Sequence, residues 1–163
     1  MQEKHIRNDL CFGTLHGNIL RSDDLVSLVS NAPHQQCLVL DTNIMMHQLD
    51  ILECECPATG LIVVLQTVLQ ELKHLNVSAY RRVYNLVTNT KRNFIFFPNE
   101  CSEETAVKRI GGESPNDYND RLIRVAAAYY QKELGDSSTN TDITGQNVVL
   151  LSNDKIQRVC TLE

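Results

Sequence analysis

The sequence predicts an α/β domain built around a parallel sheet with helices on both faces, and three observations carry that expectation. Four short apolar runs lack polar alternation: Cys37-Leu-Val-Leu-Asp41, Leu61-Ile-Val-Val-Leu65, Asn93-Phe-Ile-Phe-Phe97 and Asn147-Val-Val-Leu-Leu151. A run of that kind fits a strand buried on both faces. Segments with helical spacing separate the runs, giving the order strand, helix, strand, helix, helix, strand, helix, strand, which is the pattern of parallel α/β domains. Turn signals bound them, among them Pro98, Gly111-Gly112 and the polar stretch Gly135–Gly145.

Taken in order, residues 1–36 form a mixed, weakly periodic N-terminal extension. Within it Asp23 or Asp24 caps a short helix through Leu25, Leu28 and Val29 that Pro33 ends. After the first strand Thr42 can cap a segment in which Ile44, Met45, Leu49 and Leu52 make a helical stripe. The second strand leads into a helix over 67–75, with Val68, Leu69, Leu72 and Leu75 inward. A further helix over about 78–91 runs through Tyr80, Val83, Tyr84 and Val87. Residues 98–116 read as a loop. Ser114-Pro115-Asn116-Asp117 then combines a capping serine, a first-turn proline and an acid three residues on, which starts a helix reaching about Leu134. Residues 135–145 are poor in hydrophobes and read as a flexible loop. The chain stops nine residues after Asp154 with no further strand-like run. This predicts that the main domain, 37–163, is truncated at its C-terminus.

A length of 163 residues suits one domain with a substantial core. No apolar run approaches the roughly 20 residues needed to span a bilayer, and the first residues lack a signal-peptide core, so an intracellular protein without membrane partners is expected. Six cysteines in so core-rich a chain read as reduced thiols; Cys54-Glu55-Cys56 has too short a gap for a zinc ligand pair. The formal net charge of −5 runs against the basic excess usual in nucleic-acid binders. It does not exclude one, because cations bound at an acidic site would cancel part of the charge. Basic pairs also occur at Arg81-Arg82, Lys91-Arg92 and Lys108-Arg109.

Four acids stand where such a site would form. Ligands of an open parallel sheet bind beyond the carboxyl ends of its strands. Asp41 ends the first strand, Asp154 follows the fourth, and Glu71 lies about one turn into the helix after the second. Asp120 lies near the start of the long helix and can face the same edge. Singly, each has an ordinary explanation: Asp41 as a helix N-cap, Glu71 as a solvated helix residue, Asp117 and Asp120 as acids favouring a helix N-terminus, and Asp154 as a turn residue. Together they make a set of carboxylates whose mutual repulsion a hard divalent cation relieves. One or two Mg²⁺ or Mn²⁺ ions on such a set can activate water and stabilise a leaving oxygen in phosphodiester hydrolysis.

The stretches Val39-Leu-Asp-Thr-Asn43, Leu65-Gln-Thr-Val-Leu-Gln-Glu-Leu72, Asn116-Asp-Tyr-Asn-Asp-Arg121 and Leu151-Ser-Asn-Asp154 resemble a PIN domain. More narrowly they are similar to the PIN domain of the eukaryotic RNA exosome's catalytic subunit, in which a PIN endonuclease is joined to an RNase II-type exonuclease. The resemblance covers roughly residues 37–156 and implies a three-layer, Rossmann-like fold and cleavage of single-stranded RNA with Mn²⁺ or Mg²⁺. It maps the metal-site acids onto Asp41, Glu71, Asp120 and Asp154, with Asp117 the rival of Asp120. Asn43 and Thr42 would orient Asp41, and Asn153 would do so for Asp154. It further implies the exosome core as partner, no small-molecule cofactor, and a nuclear, nucleolar or cytoplasmic setting. One departure bears on docking. The family's zinc-binding cysteine and histidine cluster ahead of the domain is reduced here to Cys11 and His16. No RNase II-like region is present, so exonuclease activity is not expected.

Arg121 and Arg124, one turn apart, are candidates for RNA phosphate contacts, beside the reading of a solvated helix face. Tyr129 and Tyr130 read as core. The alternative function is a non-catalytic docking module that tethers a larger exonuclease to the exosome core. A phosphoryl-transfer domain using Asp41 as nucleophile ranks below both, since Asn43 stands where such enzymes generally carry a second aspartate.

Overall fold

In a computed structural model of the chain, the residues described are 6–9, 11–32, 36–54, 60–136 and 147–153. The four predicted strands are present as β3 (Gln36–Leu40), β4 (Leu61–Leu65), β5 (Phe94–Phe97) and β6 (Asn147–Leu151). They are parallel to one another where they pair. All five residues of β4 are buried, as expected of an inner strand covered on both faces.

The sheet is mixed rather than purely parallel. Two two-residue strands, β1 (Thr14–Leu15) and β2 (Asn18–Ile19), form a hairpin whose first strand runs antiparallel to β5, giving the order β2-β1-β5-β4-β3-β6. Its turn is His16-Gly17, both with positive φ, at 52° and 82°. That matches the two-residue turn whose twist suits a hairpin. Strands so short show no alternation, and histidine replaces the asparagine or aspartate that marks such turns, so periodicity passes over them. The segment 1–36 therefore reaches into the sheet, and its Phe12, Leu20, Leu25 and Val29 lie in the core.

Helix α1 (Ser22–Ser30) begins with the Arg21 amide donating to Asp24 Oδ2 at 3.0 Å. The stripe expected after β3 is two short helices, α2 (Thr42–His47) and α3 (Leu49–Glu53), separated at Gln48. The apolar spacing survives the break, since Met45, Leu49 and Leu52 are all buried. Arg92 reaches across to the C-terminal carbonyls of α3, donating to Leu52 O, Glu53 O (3.2 Å) and Cys54 O (3.0 Å), where a cation suits the helix dipole. Arg82 pairs with both Asp50 and Glu53 of α3.

Helix α4 (Gln66–Leu75) follows β4 without a loop, and α5 (Val77–Thr88) follows it, capped by Asn76, whose Oδ1 accepts from the Ala79 amide at 3.0 Å. Residues 98–114 contain no helix or ladder strand, yet they are tied down: Asn99, Glu100, Ser102 and Thr105 are buried, and Arg7 pairs with Ser102. Helix α6 (Pro115–Asp136) starts at the predicted proline and packs against β6 and α4. Tyr129 and Tyr130 are core residues, as expected. Tyr129 stacks on Phe12 and Phe97, Tyr130 meets both edge-on, and the buried Tyr130 hydroxyl donates to Phe12 O at 2.7 Å.

Candidate active site

Strand register sets the carboxyl edge of the sheet. Leu40 of β3 lies opposite Leu151 of β6, and Leu65 of β4 opposite Phe97 of β5. One step beyond these pairs the backbone presents Asp41, Ser152, Gln66 and Pro98, and the polar side chains of this edge come from those turns.

Asp41 is 3% exposed with an extended backbone (φ −72°, ψ 158°). By position it is the N-cap of α2, but its side chain makes no capping hydrogen bond. Its Oδ2 instead accepts from Ser152 Oγ at 2.7 Å, and its amide donates to Leu151 O at 3.1 Å. The carboxylate is thus fastened to the neighbouring strand rather than used to start the helix. No cationic side chain among the described residues pairs with it. A buried carboxylate without a positive partner is costly, and a bound cation is one means of relieving it.

Glu71 is half-buried on α4, and its Oε2 accepts from Thr42 Oγ1 at 2.6 Å. Thr42, expected to orient Asp41, therefore holds Glu71 instead. The sequence reading missed Ser152, which holds Asp41. Its only signal is its register place opposite Asp41, visible once β3 and β6 are paired. Asn43 and Asn153 are exposed.

On α6, Asp120 is half-buried and Asp117 is exposed. Asp117 belongs to the helix start: its amide donates to Ser114 Oγ at 3.1 Å, and Ser114 Oγ donates to its Oδ2 at 2.7 Å. Asp154 lies outside the described residues. Among the described residues, no three acidic, histidine or cysteine side chains form a ready cation cage. What the edge does offer is oxygen chemistry, two carboxylates each held by a hydroxyl, and that donor type fits a hard divalent cation.

Arg121 is engaged within the fold. Its Nε and one terminal nitrogen donate to the two Glu113 carboxylate oxygens, both at 2.8 Å, and it also donates to Lys108 O at 2.9 Å. Those bonds hold the Glu113 carboxyl down to about 2, against the opposing effect of its burial. Arg124 is half-buried one turn further on. Arg82, Arg92 and Arg109, drawn from the three basic pairs, likewise bond to protein acceptors.

A second polar group adjoins Glu71 along α4. Thr67, one turn before it, exchanges hydrogen bonds with the buried Asn99 (2.9 Å from Asn99 Nδ2) and donates to Glu100 Oε1 at 3.3 Å. Thr105 Oγ1 donates to Asn99 O at 2.7 Å. This network fixes the start of α4 to the end of β5, and so sets where Glu71 stands. In sequence it lies inside an apparent loop with no periodic signal.

Comparison with known proteins agrees with this architecture. Residues 38–161 match the PIN domain family. The chain is 33% identical over 172 aligned positions to the human exosome complex exonuclease RRP44, covering all of this chain and 17% of that protein. It is 37% identical to the Arabidopsis thaliana exosome complex exonuclease RRP44 homolog A, over 95% of this chain and 15% of the relative. The chain thus spans about a sixth of the length of these relatives. Among solved structures, the T. brucei RRP44 PIN domain superposes with a TM-score of 0.75 at 27% identity, covering 94% of this chain and 83% of that one. With its mixed six-stranded sheet, its helical layers and this match, the chain belongs to the PIN domain family, a nuclease-type fold, and resembles the PIN domains of RRP44 proteins.

Proposed function

We propose that this chain is a divalent-metal-dependent endoribonuclease domain that cuts single-stranded RNA. The observation that carries the reading is the buried Asp41 carboxylate at the sheet's carboxyl edge, clamped by Ser152 and lacking a cationic partner among the described residues, beside a Glu71 held by Thr42. Asp41, Glu71, Asp120 and Asp154 would hold one or two Mn²⁺ or Mg²⁺ ions, which when bound supply a nucleophilic water and charge stabilisation at the phosphate.

The protein's own contribution is positional. Ser152 donates to one Asp41 oxygen, Thr42 donates to Glu71, and α6 carries Asp120. The names of the relatives support a place in exosome-associated RNA degradation, with the exosome core as partner; the nucleus is the setting we propose with it. The internal bonding of Arg121 leaves Arg124 as the better of the two phosphate-contact candidates.

The test is a circular RNA, which has no end for an exonuclease. Incubated with the chain and Mn²⁺ it should be linearised, and Asp120→Asn should abolish the cut. Intact circles with the unmodified chain would count against the proposal and favour the docking-module alternative.

A further inference from the structure

Helix α4 carries a second surface that the acids do not use. Gln66, Gln70 and Lys73 lie three and four residues apart, a single stripe along the helix. They line a cleft of about 630 Å³, together with Tyr80 and Tyr84 of α5 and His16 and Gly17 of the β1–β2 turn. That volume lies in the range of small-ligand sites.

Three features indicate what it takes. Tyr80 and Tyr84 stand one turn apart with ring centroids 6.1 Å apart and 33° between their planes, and Tyr84 is 51% exposed. An exposed, paired aromatic surface is a stacking platform for a planar base. The two glutamine amides offer donors and acceptors for a base edge. Finally, among the described residues the cleft lining contains no aspartate or glutamate, although the chain carries 20 of them and has a net charge of −5. Its charged group is Lys73, which is exposed and has no carboxylate partner among the described residues. The cleft thus departs from the charge of the whole chain in the direction that suits a phosphate.

We infer that this cleft binds an unpaired nucleotide of the RNA strand, its base stacked on the tyrosines and its phosphate near Lys73. The inference rests on the proposed RNA substrate and extends it with a binding subsite. Gln70 of the cleft and Glu71 of the acidic edge are consecutive residues, pointing about 100° apart around one helix. One rigid element therefore forms both walls, so a base held in the cleft fixes the strand's position relative to the acids.

The experiment measures affinity of the full chain for a short fluorescent oligouridylate, in Ca²⁺, by anisotropy. Tyr84 is exposed, so its replacement leaves the core intact. Tyr84→Ala should weaken binding about tenfold, the order of one lost base stack, while Tyr84→Phe should bind like the unmodified chain. Lys73→Glu should weaken binding and flatten its salt dependence. A 4-thiouridine in the oligonucleotide should crosslink to the peptide bearing Tyr80 and Tyr84. Unchanged affinity in Tyr84→Ala, or crosslinks that avoid α5, would overturn the subsite and leave the cleft to a protein segment. The circular-RNA assay reads the nuclease proposal separately. Cutting retained with affinity unaffected by Tyr84→Ala sinks the subsite alone; affinity lost in Tyr84→Ala without any cutting by the unmodified chain sinks the nuclease alone.

Discussion

At the scale of single residues, two hydroxyls hold two acids of the proposed site. Ser152 donates to Asp41 and Thr42 to Glu71, at 2.7 and 2.6 Å. Groups that orient metal ligands in this way typically contribute about 10- to 100-fold to metal affinity. On the proposed metal site, Ser152→Ala and Thr42→Val should each weaken Mn²⁺ binding by about that factor while the far-ultraviolet circular dichroism stays unchanged. Titration calorimetry decides this, and Mn²⁺ affinity equal to that of the unmodified chain in both variants would remove the hydroxyls from the site. Asp41→Asn should act more severely, lowering the cutting rate at least about 100-fold, because it removes a charge rather than an orienting bond. The family resemblance implies Thr42 as a partner of Asp41. Its actual target, Glu71, lies 29 residues away on another helix, a distance that local spacing cannot read.

At the scale of elements, the hairpin and the start of α6 carry the separate tests. Gly13 leads into β1 with φ at +80°, and a Cβ there would stand 2.2 Å from Phe96 O, on backbone that cannot swing aside. Gly13→Ala therefore meets both a left-handed backbone and a collision. It should cost at least about 2 kcal/mol, read as a lower urea midpoint. An unchanged midpoint would mean that the hairpin does not hold the β5 edge. The α6 start depends on pH. The Glu113 carboxyl is lowered from 4.5 to about 2 by Arg121, so its ionised form is favoured by folding. That stabilisation is fully present above pH 4.5 and is lost as pH falls through about 2. Amide exchange of residues 108–121 should quicken across that window, and Glu113→Gln should remove the dependence.

At the scale of the whole molecule, the core links segments far apart in sequence. Tyr130 bonds to Phe12 across 118 residues, joining α6 to the segment ahead of the hairpin. Tyr130→Phe leaves the buried Phe12 carbonyl without that donor and should cost about 1–3 kcal/mol in global stability, measurable by thermal or urea unfolding. Cys37 reports the same core by reactivity. It is fully buried on β3, and burial pushes its thiol up to about 12, whereas Cys54 is exposed. At pH 8 a thiol reagent should modify Cys54 rapidly and Cys37 only at the rate of global unfolding. Rapid modification of Cys37 in the folded protein would show that the sheet opens locally.

The chain's own pattern determined the four parallel strands, the long α6 and the edge on which Asp41 falls. Each rests on a signal that is local: an unbroken apolar run, a Ser-Pro-x-Asp helix start, or an acid directly after a strand. The PIN-like motifs likewise lie within short stretches, so they were legible before any pairing was known. Tertiary structure alone decided the β1–β2 hairpin, the break between α2 and α3, the Ser152–Asp41 and Thr42–Glu71 bonds, and the Thr67–Asn99–Glu100 network. It also decided that Arg121 belongs to an ion pair with Glu113. For the long-range side-chain bonds among these, the partners come from different segments of the chain, so their chemistry exists only after register and packing have brought them within hydrogen-bond reach.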